Sequence, residues 1–168
     1  MELKVLKRSQ LREVEEVFAS STDYLRLENG ELDIKEASRD FFDTLPPGKT
    51  YKDKQTMGIY ESTELVGLID LAENYPIQGT YFLGLLLFLP KVRNQGLGSQ
   101  AHQEICQQVI ESGGDKLRLG VLRNNPAGLR FWQRQGYKVL KATKSLGERA
   151  NPVYLMELDL LSDKNSEI

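Results

Sequence analysis

The chain has 168 residues, 40% hydrophobic and 27% charged, with a formal net charge of −2, which suits one globular domain with a sizeable core. A single cysteine, Cys106, and a single histidine, His102, exclude an internal disulfide and any cysteine-cluster or multi-histidine metal site, so no metal is expected. Met1-Glu2-Leu3-Lys4 lacks the apolar core of a signal peptide and the apolar run 81–90 is too short to span a bilayer as a helix, so a cytoplasmic location and no membrane partner are expected.

In chain order, residues 3–6 read as a short strand, and Leu11, Val14 and Val17-Phe18 at helical spacing mark a helix over 10–19. Asp33 with Glu36 three residues on opens a second helix, which runs through Phe41-Phe42 and stops before Leu45-Pro46-Pro47-Gly48. Strands follow at 56–60 and 65–71, joined by a hairpin turn over 61–64. After a loop at 74–79, residues 80–89 are almost wholly apolar, as in a central strand buried on both faces.

Residues 93–98 read Arg93-Asn94-Gln95-Gly96-Leu97-Gly98, between that strand and a helical pattern. Glycines at such a junction let backbone N–H groups converge, and a helix N-terminus adds partial positive charge, so the stretch is a candidate phosphate or pyrophosphate site. Leu97, Ala101, Ile105 and Val109 give the following helix one apolar face, and Gly113-Gly114 stops it. His102, one residue past that face, is expected at the surface or boundary, and Cys106 as a small buried hydrophobe.

A strand at 116–121 comes next. Asn125 then caps a helix that opens on Pro126, contains Leu129, Phe131 and Trp132, and stops at Gly136. Closing strands are expected over 137–146 and 152–158, joined by Gly147-Glu148-Arg149, with a polar tail at 161–168. The order predicts one α/β (α+β layered) domain over residues 1–160 around a mixed sheet.

Charge is unevenly placed. Residues 1–90 carry 10 Lys/Arg against 16 Asp/Glu, a balance of −6, whereas residues 91–150 carry 11 against 4, a balance of +7. A basic half that begins at the glycine loop suits an anionic ligand, although a solvated basic face would look the same. The cations are dispersed, without the arrays of a nucleic-acid reader, so no nucleic acid is expected as a partner.

Three features coincide: the apolar strand ending in Phe88-Leu89-Pro90, the loop 93–98, and the later segment from Asn125-Pro126-Ala127-Gly128 to Gly136-Tyr137. Together they resemble the GCN5-related N-acetyltransferase (GNAT) family. The loop is similar to that family's Arg/Gln-x-x-Gly-x-Gly/Ala motif for the pyrophosphate of acyl-CoA. A dinucleotide fold is excluded because residue 101 is Ala and no acid ends the next strand, and a P-loop because no Gly-Lys-Ser/Thr follows.

The resemblance implies a mostly antiparallel sheet of about seven strands flanked by about four helices, with acetyl-CoA as acyl donor and an amine as acceptor. It implies that the amides of Gln95, Gly96, Leu97, Gly98 and Ser99 hold the pyrophosphate, with Arg93 or Asn94 adding a side chain. It further implies a bulged strand that splays from its neighbour, where backbone groups of Leu86, Leu87 and Phe88 meet the pantetheine arm and an N–H near Leu87 serves as oxyanion donor. Asn125, in the segment containing Gly128, matches the position that touches that arm, and reads equally as a helix cap. A homodimer is common in the family.

Trp132 stands where many members carry a tyrosine that protonates the leaving thiolate. Indole cannot act as an acid at neutral pH, so Trp132 is expected as packing at the donor wall, and the proton donor stays open; Tyr137 is a weak substitute. The strand 80–89 has no carboxylate, which leaves Asp70 and Glu73 as candidates for the general base or for binding the acceptor, although an acid at a strand end is commonly just solvated. Tyr24, Tyr60, Tyr75 and Tyr81 are further acceptor-pocket candidates that also read as structural. The acidic residues before position 90 favour a cationic acceptor. A catalytically weak acyl-CoA sensor of the same fold stays open as an alternative, as does an unrelated phosphate-binding domain.

Overall fold

The computed structural model describes residues 1–29, 33–144 and 151–162. Its elements are β1 (Glu2–Val5), α1 (Leu11–Ser20), α2 (Thr22–Asn29), α3 (Ile34–Asp43), β2 (Lys54–Glu61), β3 (Glu64–Ala72), β4 (Thr80–Phe88), α4 (Leu97–Glu111), β5 (Lys116–Leu122), α5 (Pro126–Arg134), β6 (Lys138–Lys144) and β7 (Pro152–Asp159). The strands form one seven-stranded sheet in the order β1-β2-β3-β4-β5-β7-β6. Every neighbouring pair is antiparallel except β4 with β5. The parallel pair requires a crossover, and α4 supplies it.

The local signals operate as expected. The side chain of Asp33 accepts the Glu36 N–H at 2.8 Å, and that of Asn125 accepts the Gly128 N–H at 2.9 Å, each capping its helix. Ala101, Ile105 and Val109 are fully buried, because positions four apart share one face of α4. Val66, Leu68, Ile69 and Leu71 make β3 the centre of the core, each side chain worth about 1.5–3 kcal/mol of burial. The connection Gly147-Glu148-Arg149 lies outside the described residues, as does the tail from residue 163.

The structure adds α2, a helix between the first two expected ones. One residue, Ser21, separates it from α1. The local signal there is weak, since Ser20-Ser21-Thr22 reads as a breaker and Leu25 is the one fully covered apolar side chain of α2.

The two sheet faces are distinguished by what touches them. Lys54 and Asp70 lie on the face of α3, where Lys54 Nζ reaches Thr44 O at the helix end. Gln55 and Glu73 lie on the face of α4, where Gln108 donates to Gln55 at 2.6 Å. Alternation along a strand explains why residues 70 and 73, three apart, fall on opposite sides.

Candidate active site

Strands β4 and β5 pair only through Thr80, Tyr81 and Phe82 opposite Lys116, Leu117 and Arg118. Beyond that point they separate. A bulge accompanies the separation: Asp70 faces Leu85 and Leu71 faces Leu83, so Gly84 has no partner across from it. A cleft of about 740 Å³ fills the gap. Residues 83–88 of β4 and 119–122 of β5 form its sides, and the loop after β4, the start of α4, α5 and α2 complete the wall.

Ladder alternation decides which backbone groups face the cleft. The Leu89 N–H donates to Val66 O at 2.9 Å, with Leu87 opposite Leu68 and Phe88 opposite Gly67. Bonded and non-bonded pairs alternate in an antiparallel ladder, so Leu87 turns its N–H and C=O toward β3. Leu86 and Phe88 turn theirs toward the gap, and Phe88 O accepts from Arg93 Nε at 2.8 Å on that side. Leu87, the expected donor, thus faces β3, and the N–H groups of β4 turned to the gap are those of Leu86 and Phe88.

At the other end of the cleft, Gly96 is the N-cap of α4 with φ of 84°, a left-handed conformation that favours glycine. Gln100 N–H makes a helical bond to Gly96 O at 3.1 Å, which leaves the amides of Leu97, Gly98 and Ser99 without helical partners. No side chain caps them, and the first turn of α4 holds no acid. A Cβ on Gly98 would meet the Phe131 ring at 3.2 Å, so glycine here lets α5 pack against the loop.

Of the expected donor-site residues, Leu86, Leu87, Phe88, Arg93, Asn94, Gly96, Gly98, Ser99, Asn125, Gly128 and Trp132 line the cleft. Gln95 and Leu97 do not. The Gln95 carboxamide folds back onto Lys91 O at 3.0 Å, and Leu97 packs against the core. Asn125 serves as the cap of α5, with its carboxamide held close against Gly128. Trp132 packs at the cleft wall, edge-on to Phe131, His102 and Tyr137.

The Arg93 guanidinium is already engaged. Nη1 lies 2.5 Å from Asp23 Oδ2 and Nη2 lies 3.3 Å from Asp23 Oδ1. The hydrogen bond from Arg93 is the main reason the Asp23 carboxyl is held below the usual carboxylate range. Arg93 thus straps α2 to the donor loop. The other end of α2 is tied across the gap: Leu27 O accepts from Asn124 Nδ2 at 3.3 Å, and Glu28 O accepts from Asn151 Nδ2.

Asp70 and Glu73 part company. Asp70 stands behind the bulge, with Oδ2 3.2 Å from where a Gly84 Cβ would sit, although it does not itself line the cleft. Its carboxyl is raised by burial, while Lys54 Nζ at 2.8 Å opposes the rise. Glu73 is on the opposite sheet face, bonded to Gln55 Nε2 at 2.5 Å, and is removed as a base candidate by that placement. Among the four tyrosines, only Tyr24 reaches the cleft, its phenol raised by burial and by Glu28. Tyr60 lies under Lys4, Tyr75 stacks edge-on to Phe82, and Tyr81 is buried in the core.

His102 is not a surface residue. It is 3% exposed, with Nε2 3.1 Å from Tyr137 Oη and 3.4 Å from Cys106 Sγ. The reason is α5, whose Trp132 covers the flank of α4 that helical spacing alone left open. Cys106 beside it is only partly buried. Two charged cleft residues were not anticipated: Asp23, on the unexpected α2, and Arg134. Arg134 follows Phe131 by three residues, close to one helical turn, so its position was readable once α5 was known to face the loop.

The sequence matches the family model for the acetyltransferase (GNAT) family over residues 15–137. No curated protein matches it. Among solved structures, an acetyltransferase from Thermus thermophilus aligns at TM-score 0.75 and 22% identity, over 94% of this chain and 96% of that one. PaiA N-acetyltransferase from Thermoplasma acidophilum, in complex with coenzyme A, aligns at TM-score 0.68 and 20% identity over 94% and 98%. An aminoglycoside 6'-N-acetyltransferase complexed with coenzyme A aligns at 0.67 and 15% over 95% and 97%. The family model spans well over half of the chain, and the bulged strand, the splayed pair and the glycine loop are where the motifs predict them: the chain belongs to the GNAT acetyltransferase family.

Proposed function

We propose that the protein is an acyl-CoA-dependent N-acetyltransferase that uses acetyl-CoA as donor and a primary amine of a small molecule or protein as acceptor, acting in the cytoplasm. The observation that carries this is the gap between β4 and β5, which ends on the uncapped amides of Leu97, Gly98 and Ser99. Those amides and the α4 dipole suit a pyrophosphate. The outward backbone groups of Leu86 and Phe88 suit a pantetheine amide and a polarised carbonyl oxygen. Bound acetyl-CoA supplies an acetyl group activated as a thioester.

Asp70 is the general base in this reading. Burial raises its proton affinity toward the working range of a base, and its partial exposure of 23% allows one water to relay the amine proton. Tyr24 and the α2 wall take the acceptor side, and the acids of residues 1–90 favour a cationic acceptor. Trp132 gives no proton, and a thiol with an ordinary pKa of about 8.5 can leave as thiolate without an acid. A non-catalytic acyl-CoA sensor is the second reading, favoured by Asp70 standing behind the wall and paired with Lys54.

Acetyl-CoA should raise the melting temperature by binding the folded state, and Gly98→Trp should abolish that rise. No rise with any acyl-CoA would remove both readings. Thiol release across a panel of amines then separates them: turnover that falls about 100-fold in Asp70→Asn, with the acetyl-CoA melting shift intact, supports the enzyme with Asp70 as base. Turnover unchanged by Asp70→Asn removes that assignment, and no turnover with any amine favours the sensor.

A further inference from the structure

We propose that Arg134, rather than the motif residue Arg93, supplies the side-chain cation for the phosphates of the donor. This rests on the acyl-CoA reading above. The cations of the donor loop are already neutralised: Lys91 pairs with Glu64, and Arg93 is bound by both oxygens of Asp23 with its Nε on Phe88 O. Arg134 lines the same cleft and, among the described residues, makes no ion pair. A multiply charged anion in this cleft therefore meets one arginine whose charge is spent and one whose charge is free.

The packing of α5 explains how Arg134 reaches that position. Phe131 abuts Gly98, and Gln135 Nε2 donates to Ser99 Oγ at 2.9 Å. Arg134 lies between these two anchors in sequence and about one turn from Phe131, which places it on the wall of the cleft that also holds Gly98 and Ser99 of the first turn of α4. Guanidinium geometry suits phosphate oxygens through paired N–H donors. Both the pyrophosphate and the 3'-phosphate of coenzyme A present the same chemistry to it.

Calorimetric titration of the full chain with coenzyme A tests the assignment without requiring turnover. Arg134→Gln should weaken binding about tenfold and flatten its salt dependence, Arg134→Lys should recover part of the loss, and Arg130→Gln, the same charge change on α5 outside the cleft wall, should stay within about twofold of wild type. With dephospho-coenzyme A, a persisting Arg134→Gln loss places the contact on the pyrophosphate, and a vanishing one places it on the 3'-phosphate; both support the proposal. Wild-type affinity in Arg134→Gln, or an equal loss in Arg130→Gln, overturns it while leaving the donor reading intact. Failure of wild type itself to bind coenzyme A overturns the donor reading, and Arg134 with it.

Discussion

His102 shows how a single buried side chain sets a pH response. Burial lowers its pKa from 6.5 to about 4, with a Gln135 hydrogen bond acting the other way. Between those two values the unfolded chain binds the proton that the folded chain refuses, so stability is full above pH 6.5 and is lost as pH falls toward 4. The difference corresponds to roughly 3 kcal/mol. Because this is the chain's one histidine, the effect can be isolated. Urea unfolding from pH 7 to pH 4 should show wild type losing about that much more stability than His102→Phe, and parallel curves for the two proteins would contradict the burial argument. Asp70 illustrates the same physics with the opposite sign, since a buried carboxyl holds its proton more tightly.

At the level of elements, α2 carries the most information for its size. Its N-terminal half is strapped to the donor loop by Asp23 and Arg93, and its C-terminal carbonyls are held by Asn124 and Asn151 from the far side of the gap. It therefore covers one side of the cleft while contributing few core residues. An exposed ion pair is worth about 0–1 kcal/mol, so Asp23→Asn should scarcely change the melting temperature. The same loss concentrated on a short helix should speed hydrogen exchange of amides 22–29 by about fivefold and raise the KM for the amine more than that for acetyl-CoA. Equal exchange rates in the two proteins would show that the Asp23–Arg93 pair does not hold α2 in place. Helices α4 and α5 were legible because their apolar spacing, Pro126 and the Asn125 cap are local signals. Helix α2 was not, because its anchors lie far along the chain.

Across the whole molecule, residues 1–90 carry a balance of −6 and residues 91–150 one of +7, which under the proposed reading favours a cationic amine and an anionic donor. Added salt should therefore raise the KM for acetyl-CoA and also for a polycationic amine, with a smaller effect on a monoamine; steady-state kinetics between about 0.05 and 0.5 M salt would reveal it. The sequence by itself determined the order of the strands and of every helix but α2, the glycine loop before α4, the Asn125 cap and the core stripe of α4, because each is written in neighbours within a turn or a pleat of one another. Only the tertiary structure decided which backbone amides of β4 face the gap, that Glu73 lies on the sheet face opposite to Asp70, that His102 is covered, and that Arg93 is paired while Arg134, among the described residues, makes no ion pair. Those outcomes depend on strand pairing, helix docking and ion pairs between residues as far apart as Asp23 and Arg93. No local period records which distant groups will meet.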